Sequence, residues 1–233
     1  MDSKTFYDRY ADRQLAAGVN KRHHSILGLL RSRGMKRGDR VLEIGTGVGT
    51  LTGLIAAELD GDGSIVGVDL SPRSIGIARE RLARFKGVQL LASDVLEAEV
   101  SGTFNVVVLP DVIEHIPLES HRALFQKIAE WLDPTGFVLL HFPNPFFLEW
   151  CRLHRPDLLQ QIDQPIHLDL LAANVYAAGL WIETLKTYSI WVTEGDYQAA
   201  VLRPRPEKPD FTLVAEKPSL VERVKGRIKR LLK

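Results

Sequence analysis

The sequence predicts an α/β fold in which helices cover both faces of a mostly parallel sheet, because short apolar runs alternate with amphipathic segments along most of its 233 residues. A glycine-rich turn follows the first apolar run, and an acidic residue follows each of the next two. One run, residues 104–109, is nearly continuous in β-branched residues, which is typical of a central strand. Such doubly wound sheets bind ligands at the carboxyl ends of their strands, where the turn and the acids should lie.

Helices and strands are predicted to alternate from residue 20 onwards. Gly34 ends a predicted helix over 20–33, and Ser71 and Pro72 fit the N-cap and first position of a helix over 72–84. The last two predicted strands would pair antiparallel at one edge. The remaining predicted elements are helices over 50–59, 119–132 and 168–178, and strands over 40–44, 64–69, 88–92, 104–109, 136–142, 181–192 and 211–216.

Composition and charge restrict the class of protein. Hydrophobic residues make up 45% and charged residues 25%, as in a globular domain, and the net charge of +1 gives no basic surplus for nucleic acid. A single cysteine, Cys151, excludes an intramolecular disulfide and a cysteine-based zinc site. Since neither a signal peptide nor a membrane-spanning run is visible, we expect a cytoplasmic protein.

The segment Val41–Thr50 carries the strongest signal of a ligand site. Within it, three glycines at alternate positions let the backbone turn sharply, and the helix that follows offers free N–H groups to a carboxylate or phosphate. Asp69 ends the second strand, 24 residues after Gly45, where an acid can accept from both hydroxyls of a ribose. Asp94 follows the third strand, within reach of an adenine amino group. The pattern predicts an adenosine-containing ligand.

The glycine spacing separates two classes of cofactor. The nicotinamide fingerprint GxGxxG needs its third glycine one residue later, where Thr50 stands. The block instead resembles the E/DxGxGxG loop of class I S-adenosylmethionine (SAM)-dependent methyltransferases, in order over 40–142 and more weakly to about 216. An alternative is a related domain with incidental glycines and strand-end acids.

The resemblance implies the class I methyltransferase fold, a Rossmann-like seven-stranded sheet, mostly parallel with an antiparallel edge strand. It also implies that SAM is the cofactor and that separate groups of residues hold its parts. These are, for the methionine part, Glu43, Gly45, Thr46, Gly47, Gly49 and Tyr10; for the ribose, Asp69 and Leu70; and for the adenine, Asp94 and Val95.

The segment after the fourth strand holds the candidate catalytic residues Asp111, Glu114 and His115. His115 is the best candidate base, since histidine titrates near neutrality. The spacing resembles the ExxEH motif of ubiquinone-biosynthesis O-methyltransferases and of the enzymes that methylate the 3′-terminal 2′-hydroxyl of small RNAs. In the latter a downstream histidine completes a divalent-metal site, so Asp111, Glu114, His115 and His167 would bind Mg²⁺, Mn²⁺ or Zn²⁺. The alternative is a metal-free pocket in which His167 caps a helix.

Two regions are predicted to surround this core in a domain over residues 1–216, and a tail follows the domain. Residues 1–34 form N-terminal helices that cover the cofactor as a lid or simply pack on the sheet. Residues 143–166 form an acceptor-side insertion, or alternatively local core packing. Residues 217–233 form a basic amphipathic tail, which would contact an anionic membrane face weakly or remain solvated.

The leading functional hypothesis is O-methylation of a small hydroxylated metabolite, with a lipid-linked or sugar-derived acceptor suiting the basic tail. N-methylation of a small molecule needs the same pocket and stays open. RNA 2′-O-methylation is a second class, disfavoured by the absence of a basic surplus and of a stacking platform, and no DNA partner is expected. A non-catalytic SAM-binding protein is a third. The protein would act as a monomer or homodimer.

Overall fold

The structure is a computed structural model that describes residues 3–160 and 162–207. Its strands are β1 (Arg40–Ile44), β2 (Ser64–Asp69), β3 (Val88–Ala92), β4 (Phe104–Pro110), β5 (Leu132–Pro143), β6 (Leu180–Tyr188) and β7 (Tyr197–Pro204). Its α-helices are α1 (Ser3–Ala17), α2 (Lys21–Ser32), α3 (Thr50–Leu59), α4 (Pro72–Leu82), α5 (His121–Trp131), α6 (Pro145–His154) and α7 (Leu168–Ala177).

The seven strands form one sheet in the order β3-β2-β1-β4-β5-β7-β6. Strands β1 to β5 pair in parallel, whereas β7 runs antiparallel to both β5 and β6. This mixed, doubly wound sheet confirms the predicted fold class. From β1 the chain builds outward through β2 and β3, and it then returns to the other side of β1 with β4. A cleft opens where the strand order reverses, at the carboxyl ends of β1 and β4.

The core lies on both faces of the sheet, as alternate residues of the central strand show. Val107 and Leu109 of β4 point to one face, where they join a buried cluster with residues of α5 and α7. Val106 and Val108 point to the other, where they join residues of α2 and α3. Because β4 is buried on both faces, its sequence is almost continuously apolar.

The carboxyl-terminal strands differ from the sequence prediction. The strand predicted over 181–192 ends at Tyr188, because the buried carboxylate of Asp196 accepts the N–H groups of Ile190 (2.7 Å) and Trp191 (2.9 Å) and folds the chain into a loop. Strand β7 then follows, which the sequence analysis did not predict. The strand predicted over 211–216 and the basic tail over 217–233 lie outside the described residues.

Helix α2 begins at a capping box. The side chain of Asn20 accepts the N–H of Arg22 at 3.1 Å, and the ring of His23 accepts the N–H of Asn20 at 3.2 Å. The cap fixes the first turn of α2, which carries Arg22 to the cleft. In the part of the chain that the structure describes, no helix is long and apolar enough to cross a membrane.

Replacing the cap residue should weaken the fold measurably. We expect Asn20→Ala to lower the free energy of unfolding by about 1 kcal/mol, because an N–H at the start of α2 loses its acceptor. Urea denaturation would measure the loss. His24→Ala, at an exposed position of the same helix turn, is the control and should change stability by less than about 0.5 kcal/mol. Equal effects of the two substitutions would contradict the role of the cap.

Candidate active site

A cavity of about 600 Å³ occupies the cleft at the carboxyl ends of the strands, a volume typical of small-molecule sites. The residues that line the cavity form two halves, one at each side of the sheet's centre. The β1–β3 half is formed by residues that follow β1, β2 and β3, and it includes Glu43, Asp69 and Asp94. The β4–β7 half is formed by Asp111 and His115 after β4, by Tyr197 of β7 and by neighbouring residues of α2 and the chain after α6.

The glycine turn after β1 requires glycine for steric reasons. Gly45 has a left-handed φ of 85°, and a Cβ there would lie 2.1 Å from Cγ2 of Val112, so no other residue fits without displacing the turn after β4. Its N–H donates to the carbonyl oxygen of Val68 at 2.8 Å. Gly49, with φ of 77°, occupies the N-cap of α3. Because Gly45 has no side chain, the backbone of the turn itself lines the cavity.

Glu43 is fully buried at the end of β1. The hydroxyl of Thr52 donates to its Oε2 at 2.5 Å, whereas its Oε1 has no hydrogen-bond partner among the described residues. Burial raises the pKa of this carboxyl to about 8, against the opposing effect of the Thr52 hydrogen bond. The hydroxyl oxygen of Thr46 is likewise buried without a partner in the described chain. Two polar groups beside the glycine turn thus fit an amino acid's ammonium and carboxylate.

Asp69 links the glycine turn to the next helix. Its Oδ2 accepts the N–H of Gly47 at 2.7 Å, and its Oδ1 accepts the N–H of Ser71 at 2.9 Å. These two hydrogen bonds hold the carboxylate at the wall of the cavity, where its oxygens would accept from the hydroxyls of a ligand. Asp94 accepts the N–H of Leu96 at 2.8 Å and lines the cavity one strand further out. Together these residues fit the adenosine part of SAM.

His115 follows β4 in a short 3-10 turn, Ile113–His115, and is held by the chain that returns after α6. Its Nδ1 lies 2.5 Å from the carbonyl oxygen of Ile162 and 3.1 Å from Oδ1 of Asp163. Because both contacts are oxygen acceptors, Nδ1 carries a proton and the lone pair of the neutral ring is on Nε2. Burial lowers the pKa of His115, but Glu114 and Asp163 outweigh this effect and raise it to about 9.

Asp111 stands directly after β4 with a left-handed φ of 56°. Its N–H donates to the carbonyl oxygen of His141 at 2.8 Å, while its carboxylate accepts from Arg22 at one oxygen and from Nδ1 of His141 at the other. Burial raises the pKa of Asp111, but Arg22 and His141 together hold it well below its usual range. This buried carboxylate is therefore ionised and fully compensated.

Glu114 differs from Asp111 in having no such compensation. Its Oε2 is buried without a partner in the described chain, and Oε1 lies 3.8 Å from Nε2 of His115, beyond hydrogen-bond distance. Burial raises the pKa of Glu114 well above its usual range. Its backbone carbonyl accepts the N–H of Gln164 at 2.9 Å, which fastens the chain after α6 to the turn that holds His115.

The structure corrects the prediction of a metal site formed by Asp111, Glu114, His115 and His167. Among the described residues, no group of three or more His, Cys, Asp or Glu side chains could hold a metal ion. The two carboxylate oxygens of Asp111 already accept hydrogen bonds from Arg22 and His141. His167 lies apart from it on the surface, with Nε2 at 3.1 Å from Oε1 of Glu149. It is the N-cap residue of α7, but its side chain makes no capping hydrogen bond.

The structure brings most of the sequence-predicted site residues to one cavity. The residues that line it are Tyr10, Glu43, Gly45, Thr46, Asp69, Leu70, Asp94, Val95, Asp111 and His115. Four others do not line it: Gly47 contacts Asp69, Gly49 caps α3, Glu114 is buried behind His115, and His167 is on the surface.

Sequence reasoning missed four residues of the β4–β7 half. They are Arg22, His141, Asp163 and Tyr197. Only His141 left a clear signal, as a single histidine inside the apolar run of β5. Arg22 was indistinguishable from the other basic residues of its helix, and Asp163 lies in a segment without secondary structure. Their proximity to Asp111 and His115 depends on the tertiary fold.

Comparison with known proteins agrees with this geometry. A family model described as a methyltransferase domain matches residues 41–136. The chain is 35% identical over 108 residues to phosphoethanolamine N-methyltransferase 3 of Arabidopsis thaliana, which is 46% of this chain and 21% of the plant protein. It is 30% identical over 156 residues to carboxy-S-adenosyl-L-methionine synthase of Trichlorobacter lovleyi, 65% of this chain and 60% of that protein.

Solved structures agree in fold. The CcbJ methyltransferase from Streptomyces caelestis superposes with a TM-score of 0.68 at 16% identity, covering 88% of this chain and all of that one. This chain spans less than two thirds of the length of the two curated relatives. Residues 41–136 thus match a methyltransferase domain, and the fold and glycine turn of the chain are those of class I SAM-dependent methyltransferases.

Proposed function

We propose that this protein transfers the methyl group of SAM to a hydroxyl of a small-molecule acceptor. The observation that carries the proposal is His115 on the wall of the cavity, with its Nδ1 at 3.1 Å from Oδ1 of Asp163. SAM supplies an activated methyl group and leaves as a neutral thioether. The protein must therefore bind the two reactants in line, exclude water and remove the hydroxyl proton.

The β1–β3 half would hold the cofactor. Glu43 and the glycine turn face the methionine part, Asp69 the ribose hydroxyls, and Asp94 the adenine. Tyr10 of α1 lines the same cavity and supports a covering role for the N-terminal helices. SAM bound there would supply its methyl group to an acceptor in the β4–β7 half, where His115 lies.

His115 would act as the base. Asp163 and the Ile162 carbonyl fix its Nδ1–H, so the lone pair of the neutral ring is on Nε2, the nitrogen that would accept the proton. The same carboxylate raises the basicity of the ring. A hydroxyl acceptor needs such a group because its own pKa lies far above neutrality.

Residues within 143–166 line the cavity, which supports the prediction that this segment forms a wall of the acceptor pocket. Gln160 and Ile162 line the cavity, and Gln164 donates from Nε2 to the carbonyl oxygen of Ile116 at 2.8 Å. Trp191, in the loop before β7, lines the cavity and is 54% exposed. We infer that α6, the chain after it and this loop shape the acceptor pocket.

N-methylation of a small molecule is the second candidate function. It is favoured by the match to phosphoethanolamine N-methyltransferases of two organisms, Arabidopsis thaliana and Plasmodium falciparum. An amine acceptor loses its own ammonium proton and relies less on a strong base in the protein. The dependence of turnover on His115 therefore separates the two functions.

Asp69 should be essential for cofactor affinity. We expect Asp69→Asn to weaken binding of SAM or its product S-adenosylhomocysteine about 10- to 100-fold, since the amide loses the charge and one acceptor oxygen. Calorimetric titration would measure both affinities. Asp62→Asn, on the surface in an ion pair with Arg37, is the control. Binding of NAD⁺ to the wild-type protein, with no heat from SAM, would overturn the cofactor assignment.

Cofactor binding should release a proton from Glu43. Its pKa of about 8 leaves it mainly protonated at pH 7, and a neighbouring ammonium group would lower that pKa. The affinity for SAM should thus rise with pH, by at most about tenfold per unit, and level off above about pH 8. Titrations in buffers of different ionisation enthalpy would count the released protons. Glu43→Gln should remove this pH dependence, and an unchanged slope would exclude Glu43 as the group that titrates.

Loss of His115 should reduce turnover without loss of the cofactor. We expect His115→Gln to lower kcat about 10²- to 10⁴-fold on a panel of hydroxylated small molecules with radiolabelled SAM, at unchanged SAM affinity. The exposed His24→Gln is the control. Because only the deprotonated ring accepts a proton, the wild-type rate should rise with pH up to about 9. Asp163→Asn should shift this rise to lower pH, since a carboxylate that raises the pKa is gone.

Methylation of an amine by His115→Gln at the wild-type rate would instead support the second candidate. Turnover on neither hydroxyls nor amines, despite SAM binding, would overturn the proposed function.

A further inference from the structure

We propose that Arg22 forms an oxyanion subsite in the β4–β7 half of the cavity, so that the methyl acceptor carries a carboxylate or phosphate group in addition to its nucleophile. This inference rests on the proposed function and deepens it, because it names the chemical class of the acceptor.

Arg22 has hydrogen-bond donors that the described residues do not use. A guanidinium group has five N–H donors in one plane. In the described structure Arg22 donates from Nη1 to Asp111, and its Nε is buried without a partner. The side chain keeps 31% of its surface exposed while it lines the cavity. The guanidinium therefore keeps uncommitted donors on a side chain that lines the cavity.

The charged groups around Arg22 also favour an anion. Each ionised carboxylate in the β4–β7 half already has its own partner, since Asp111 contacts Arg22 and His141, and Asp163 contacts His115. Burial favours the neutral form of Glu114. An anion bound by Arg22 would consequently not face an unpaired charge on Asp111 or Asp163, and the buried carboxylate of Asp196 is held by two backbone N–H groups. Arg13 of α1 lines the same cavity and adds a further positive charge.

The phenol of Tyr197 lies in the same cavity as Arg22. Tyr197 lines the cavity and stacks on the ring of His141, with the ring centroids 4.7 Å apart. Burial raises the pKa of Tyr197, Asp111 adds to this rise and Arg22 opposes it, so the hydroxyl lies within the electrostatic reach of the ion pair and stays protonated. It can serve as a second hydrogen-bond donor to an anion held by Arg22.

The geometry favours an oxyanion over other polar groups. The planar fork of arginine matches two oxygens of a carboxylate or phosphate, and a neutral carbonyl or hydroxyl uses only part of it. Asp111, itself fixed by His141, holds the guanidinium in place before a ligand arrives. An acceptor anchored in this way would present its nucleophile at a fixed position relative to His115.

Binding of simple anions to the cofactor-loaded protein tests the inference. The protein saturated with S-adenosylhomocysteine would be titrated with inorganic phosphate, benzoate and the neutral benzyl alcohol. We expect phosphate or benzoate to bind, and Arg22→Gln to weaken that binding about 10- to 100-fold. Arg22→Lys, which keeps the charge but not the fork, should give an intermediate loss. The comparison of phosphate with benzoate identifies which anion the subsite prefers.

Arg31→Gln is the matched control, because Arg31 lies on the same helix in a surface ion pair with Glu58. It should leave anion binding unchanged. Anions that bind no better than benzyl alcohol, or equal losses in Arg22→Gln and Arg31→Gln, would overturn the inference. Intact cofactor binding by Arg22→Lys shows that the variant is folded.

Two further outcomes separate this inference from the assignments on which it rests. If Arg22→Lys weakens S-adenosylhomocysteine itself and benzoate competes with it, the guanidinium serves the cofactor's carboxylate and the subsite does not exist. If the wild-type protein fails to bind S-adenosylhomocysteine, the proposed function fails. Anion titration of the cofactor-free protein and of Arg22→Gln then still decides whether Arg22 binds an oxyanion.

Discussion

The site depends on the close approach of two turns, the one after β1 and the one after β4. A Cβ at Gly45 would lie 2.1 Å from the side chain of Val112, so the two turns meet with no room for a larger residue. Each turn is also tied to the next strand outward, Gly45 to β2 through Val68 and Asp111 to β5 through His141. The contact thereby fixes both halves of the cavity at the point where the strand order reverses.

Burial raises the pKa of each acid of this site, but the net shifts have opposite directions because the neighbours of the acids differ. Asp111 has a guanidinium and an imidazole at its two oxygens, and their attraction outweighs the desolvation of the carboxylate. Glu43 is just as deeply buried, but its one hydrogen bond comes from a neutral hydroxyl and desolvation prevails. Glu43 is thus mainly protonated at pH 7, whereas Asp111 is ionised and paired with Arg22 and His141.

Features that depend on local sequence were predictable. The glycine spacing, the acids at the ends of β2 and β3 and the alternation of helices and strands gave the fold and the β1–β3 half of the cavity. The end of β6 was not predictable, because it is set by Asp196, which captures the N–H groups of Ile190 and Trp191 from five and six residues away. Arg22 was missed for a similar reason, since 89 residues separate it from Asp111 along the chain.

The position of Arg22 also explains why a metal hypothesis drawn from spacing alone failed. A short motif shows which acids are adjacent in sequence, but it does not show which cation neutralises them. Asp111 is paired with Arg22 and His141, and the described residues hold no group of three or more acidic, histidine or cysteine side chains that could bind a metal ion. In the proposed reaction, activation of a hydroxyl then falls to His115, whose pKa is raised by Glu114 and Asp163. The two carboxylates have different roles. Asp163 raises the pKa of His115, and Asp111 holds in place the guanidinium that we infer binds the acceptor.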